Sequence, residues 1–140
     1  MEDANQFKFP SILMNKIDSK EFEFPVGTLF SYEPIAAYRA ITRKDGESPD
    51  ITRTDFMSYA ELGKKGRSID INDPHYYGVS LYKDKKLLEN ALKFPRPNWK
   101  VAEGMVYFEG GPIDVNEKTE HICWWLYDNI EIKGFSICLE

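Results

Sequence analysis

Cysteine and histidine are scarce in this chain: two of each, Cys123, Cys138, His75 and His121, among 140 residues. No C-x-x-C spacing occurs, and the four residues have no local metal-ligand spacing, so neither a disulfide framework nor a zinc site is indicated. Two thiols without a framework point to a reducing compartment, and the expected location is cytoplasmic. Long apolar runs are missing as well. No stretch approaches the roughly 18 consecutive apolar residues that a membrane-spanning helix needs, and the opening MEDANQFKFP is polar and acidic. Basic residues are in the minority, 18 Lys and Arg against 23 Asp and Glu, and the net charge of −5 argues against nucleic acid as the partner. The densest basic run, GKKGRS at 63–68, lacks the G-x-x-x-x-G-K-[ST] spacing that cradles phosphate, and reads as a solvated loop.

Aromatic residues, by contrast, are plentiful at 14% of the chain, beside an ordinary 42% apolar and 29% charged content. A chain of this length has enough interior for one domain without covalent staples. Residues 1–34 read as an irregular N-terminal arm, because FKFP (7–10) and FEFP (22–25) each end in a proline that interrupts regular structure. The two Phe-x-Phe-Pro copies are too few for a stacked array and are expected to be aromatic anchors, docked on the domain or on a partner.

Residues 35–140 are expected to form the single α+β domain. IAAYRAIT (35–42) is bracketed by Pro34 and a turn-rich RKDGESPD, and predicts a strand. Thr54 and Gly63 bracket a first short helix, with Thr54 as its cap. HYYGVSLY (75–82) reads as a strand running into a second helix that Asp84 caps and Leu87, Leu88, Ala91 and Leu92 face inward. Three further strands are predicted at 99–109, 120–128 and 130–140, the last two as a hairpin turned at Asp128 and Asn129. This order predicts a mainly antiparallel sheet with two short helices. Alternation in EHICWWLYD puts His121, Cys123, Trp125 and Tyr127 on one face and Ile122, Trp124 and Leu126 on the other, so both faces are expected to be covered.

Several residues carry possible chemistry. Ser80 points to the side of Gly78 and Tyr82, where the missing Cβ of Gly78 allows a close approach by a ligand ring, by Trp99 or by Trp125. No spacing selects His75 or His121 as a base for Ser80, and Ser80 is not in a G-x-S-x-G elbow. Glu103 and Glu109 lie about 20 Å apart on an extended strand, beyond the reach of paired-carboxylate glycoside chemistry. Arg39, mid-strand after Tyr38, must pair with a carboxylate, turn to solvent or hold an anion.

AYRAI with Arg39, the following DFMSY, and GVSLY running into LLENALKF together resemble the ADP-ribosyltransferase-like fold over about residues 35–128. The resemblance implies that Arg39 holds the phosphates or ribose of NAD and that Ser80 orders the nicotinamide side. A later strand then supplies a glutamate, but no Q-x-E or E-x-E motif is present in the strands that follow Ser80. Glu120 and His121 stand at that position instead. Two functions follow from these residues. One is a small interaction or ligand-binding module for a protein or a small nucleotide. The other is an NAD-directed domain, catalytically degenerate or not, in which Arg39, Ser80 and His121 converge on a pocket lined by Tyr38, Tyr82, Trp99 and Trp125.

Overall fold

A computed structural model describes residues 9–44, 46–128 and 130–138. Six antiparallel strands make one sheet: β1 (Ile35–Thr42), β2 (Val79–Tyr82), β3 (Trp99–Val106), β4 (Ile113–Asn116), β5 (His121–Trp124) and β6 (Ser136–Ile137). Their order across the sheet is β4-β5-β2-β1-β3-β6. Three helices accompany it, α1 (Ser11–Asp18), α2 (Tyr59–Leu62) and α3 (Lys85–Ala91), so the domain is α+β. No helix of the described residues is long and apolar enough to cross a membrane.

Both faces of the sheet carry a core, and the segment after β5 shows why. Ile122, Trp124 and Leu126 join Ala37, Ile41, Leu81, Phe56 and Phe135 on one side. Cys123 and Trp125, with the opposite alternation, join Leu13, Ala60, Tyr76 and Tyr77 on the other. The expected anchors complete that second core: Phe9, Phe22 and Phe24 pack against it, with Phe24 edge-on to Trp125 at 5.1 Å and Phe22 edge-on to Tyr77 at 5.7 Å. Phe7 lies outside the described residues. The arm also holds α1, which the sequence pattern did not place. Its N-cap is Pro10, with no side-chain cap and no acid in the first turn, so the usual start signals are absent. Leu29 exchanges backbone hydrogen bonds with Ile113 (2.8 and 3.0 Å) and so covers the outer edge of β4.

Strand β1 and the cap of α3 form where expected, with Asp84 accepting from the Leu87 amide at 3.1 Å. Gly63 ends α2 at φ 69, but its cap is Ser58 rather than Thr54. The buried Ser58 hydroxyl and the Glu61 carboxylate satisfy each other's backbone amides in a capping box. Residues 74–77 coil into a 3-10 turn, because Asp73 caps the His75 amide and Pro74 occupies the first helical position. Strand β2 therefore begins only at Val79.

The predicted hairpin at Asp128 does not form. Strand β5 ends at Trp124 and pairs with β2 and β4. The late segment contributes only Ser136–Ile137, which pairs with β3 at the opposite edge of the sheet. Asn129 lies outside the described residues. The hairpin partner of β5 is instead β4, joined through a turn in which Asn116 Oδ1 accepts from the amides of Lys118 and Thr119 (2.9 and 3.2 Å).

Candidate functional site

Pairing between β2 and β5 builds the site. The register sets Ser80 opposite Cys123 and Tyr82 opposite His121, so the serine and the second histidine are diagonal neighbours on one face. Ser80 Oγ and His121 Nε2 are hydrogen-bonded. Asp114 of β4 extends the same face across the sheet, opposite Cys123. His75 reaches over from the 3-10 turn, its Nε2 2.7 Å from Asp114 Oδ2 and its Nδ1 3.1 Å from Asp73 Oδ1, with its ring stacked on Trp125 at 6.0 Å.

Ser80 is exposed, and the His121 ring is partly buried edge-on to Tyr82 at 5.1 Å. Burial holds His121 below the ordinary value of 6.5, and the nearby His75 pushes the same way against the opposing charge of Asp114. The imidazole is therefore neutral at pH 7. Among the described residues no carboxylate hydrogen-bonds its Nδ1. Cys123 is unlike its neighbours: buried in the second core, its thiol is pushed well above the usual range and is inert as a nucleophile.

Gly78 explains how these groups pack. A Cβ there would lie 2.2 Å from Cys123 Sγ and 3.2 Å from the Trp125 ring nitrogen, so the close approach foreseen at this glycine is made by protein atoms. Trp125 itself is fully buried, donates from Nε1 to the Pro74 carbonyl at 3.0 Å, and supports the site from beneath.

Arg39 sits elsewhere on the sheet. The β1–β2 register pairs Tyr38 with Tyr82, so Arg39 leaves β1 on the side of Ala37 and Ile41, while the Ser80 hydroxyl leaves β2 on the other side. Its guanidinium lies over the Phe56 ring at 5.4 Å and donates to three backbone carbonyls: Asp55 (2.9 Å), Ser80 (2.8 Å) and Met57 (3.5 Å). The Asp55 carbonyl is itself held in place, because Arg43 forks onto the Asp55 carboxylate at 2.6 and 2.7 Å. Burial lowers Arg39 to about 10, still charged at neutral pH. Arg39 and Ser80 thus meet through a backbone oxygen and not through the hydroxyl.

An open groove of about 780 Å³ runs past these residues, and its lining includes Arg39, Ser80, Tyr82, His75, His121 and Trp99. The Arg96 guanidinium stacks on Trp99 at 4.4 Å and adds a flat cationic wall. Tyr38 and Trp125 are not in that lining. Glu103 is exposed, opposite Tyr38 in an uninterrupted ladder, with no bulge at Gly104. Glu109 falls in a 3-10 turn after β3.

The sequence pattern as read above places no strand at 113–116, so Asp114 is not among its candidate residues. The signal was present: IDVN, a turn sequence and HICW make an alternating hairpin in one continuous stretch. No family model, curated protein or solved structure matches the chain.

Proposed function

We propose that this protein is a small ligand-binding module whose groove takes a planar, ring-bearing molecule. The observation that carries this reading is the groove itself: its volume of about 780 Å³ lies within the 300–1,000 Å³ usual for small-molecule sites, the exposed Ser80 hydroxyl and the partly buried His121 are hydrogen-bonded beside the ring of Tyr82, and Trp99 contributes a further ring to the lining. Rings supply the apolar contact, and serine and imidazole supply oriented hydrogen bonds. The arm offers less support for a protein partner, since Phe9, Phe22 and Phe24 are spent on its own second core.

The NAD-directed reading has one observation in its favour. Arg39, Ser80 and His121 all border the same groove, but the guanidinium leaves the sheet on the side opposite to the Ser80 hydroxyl, where that reading requires the two to converge. It also requires the guanidinium to release its carbonyls, and a carboxylate that Glu120, outside the lining, does not supply.

Thermal melting with NAD, adenosine, nicotinamide and a benzoate series tests both. A probe at 100 times its Kd stabilises by about 2.7 kcal/mol and raises the midpoint of a domain this size by roughly 8 °C. The module reading predicts such a shift for at least one probe, lost in Tyr82→Leu. A shift confined to NAD and lost in Arg39→Lys favours the NAD-directed reading. No shift with any probe contradicts both.

A further inference from the structure

The Ser80–His121 pair has the geometry of a nucleophile with its base. Nucleophilic serine needs three things: exposure to a reactant, a hydrogen bond to a general base, and a base that is unprotonated at working pH. Ser80 is exposed on the groove, its Oγ is hydrogen-bonded to His121 Nε2, and the imidazole is held neutral. No other hydrogen bond of Ser80 Oγ competes for the imidazole among the described residues. We propose that Ser80 is a nucleophile activated by His121, and that the groove performs acyl transfer from carboxylic esters of small aromatic or aliphatic alcohols.

The step balances without any cofactor. Ser80 gives its proton to His121 Nε2 as Oγ bonds to the ester carbonyl carbon. The carbonyl π pair moves to oxygen, then returns as the bond to the alcohol oxygen breaks, and the imidazolium delivers its proton to the departing alcohol. Water, deprotonated by the same imidazole, then releases the acid and restores Ser80. His75 and Asp114 are positioning residues at most, since they bond each other and not the reacting atoms. With no carboxylate fixing Nδ1 of His121, the expected behaviour is stoichiometric acylation followed by slow turnover.

This inference shares the groove with the binding reading but not its ligand, and the two fail separately. The probe is an alkyl fluorophosphonate, in which Oγ displaces fluoride at phosphorus, read by mass spectrometry of the intact chain and its peptides. One adduct per chain at Ser80 is expected, absent in Ser80→Ala, and formed roughly 100-fold more slowly or worse in His121→Gln. Both variants are checked for an unchanged melting temperature. The surface hydroxyl and a near-isosteric amide leave the cores untouched. Absence of a Ser80 adduct on the folded wild type overturns the proposal, as does labelling at an unchanged rate in folded His121→Gln. Ligand-induced melting shifts that persist in either case leave the binding reading standing.

Discussion

Replacing Arg39 by alanine is expected to destabilise the protein by about 3–4 kcal/mol, because hydrogen bonds from a charged donor are worth about 1.5–3 kcal/mol each and two of its three are short. Loss of the guanidinium strands the partly buried Asp55 carbonyl and removes the bond to the more exposed Ser80 carbonyl, at a seam where β1 and β2 pair only at Tyr38 and Tyr82. Lysine should recover little of the loss, since a single ammonium cannot fork between carbonyls that come from separate segments. In urea, with a slope of about 1.5–2 kcal/mol/M, the midpoint should fall by roughly 2 M. The sign matters for function. A guanidinium held in reserve for an anionic ligand is removed at little cost, or with a gain in stability, so a neutral Arg39→Ala would revive the anion-holding role for this residue.

Trp125→Ala should cost about 3–5 kcal/mol, the usual range for emptying a fully buried large aromatic site. A loss of that size is a large share of the 5–15 kcal/mol typical of a domain. The consequence reaches the site by a specific route. Trp125 lies against the stacked ring of His75, the edge-on rings of Phe22 and Phe24, and the Pro74 carbonyl. Hydrogen exchange should therefore accelerate in α1 and in the 74–77 turn before it does in β1 or β3, whose core is the other one. Trp125→Phe should keep most of the packing while losing the bond to Pro74. Uniform acceleration along the chain, or a cost below about 1 kcal/mol, would show that the second core is not a separate unit resting on this ring.

The strands of this sheet were legible in proportion to how local their signals are. Pro34 and the RKDGESPD loop bracket β1, and Asp84 followed by an apolar stripe marks α3; each signal lies within a few residues of what it specifies. The supposed hairpin at Asp128 failed because alternation reports which face a side chain takes and not which strand lies beside it. Strand β5 had the right faces and the wrong neighbour. The same limit governs the site. The sequence puts Ser80 on the side of Gly78 and Tyr82 and His121 on the side of Cys123 and Trp125, but their contact spans 41 positions and follows from the β2–β5 register, which no local pattern encodes. Arg39 was narrowed to three fates, carboxylate, solvent or anion. The observed fate is a fourth: it is clamped by backbone carbonyls, which carry no mark in the sequence.

The paired serine and histidine are tested most directly by the ring nitrogen resonances of His121, followed through pH in the wild type and in Ser80→Ala. The wild type should show a neutral imidazole at pH 7 with its proton on Nδ1, leaving Nε2 to accept from Ser80, and a midpoint below 6.5 set by burial and by His75, with Asp114 opposing. The unfolded chain then binds a proton at higher pH than the folded one. This group's contribution to stability is accordingly complete above about 6.5 and is lost as the pH falls through the folded value. Removing the Ser80 hydroxyl should move both the Nε2 resonance and the midpoint. A midpoint at or above 6.5, a proton resident on Nε2 at pH 7, or a spectrum indifferent to Ser80→Ala would contradict the pairing on which the reactive serine depends.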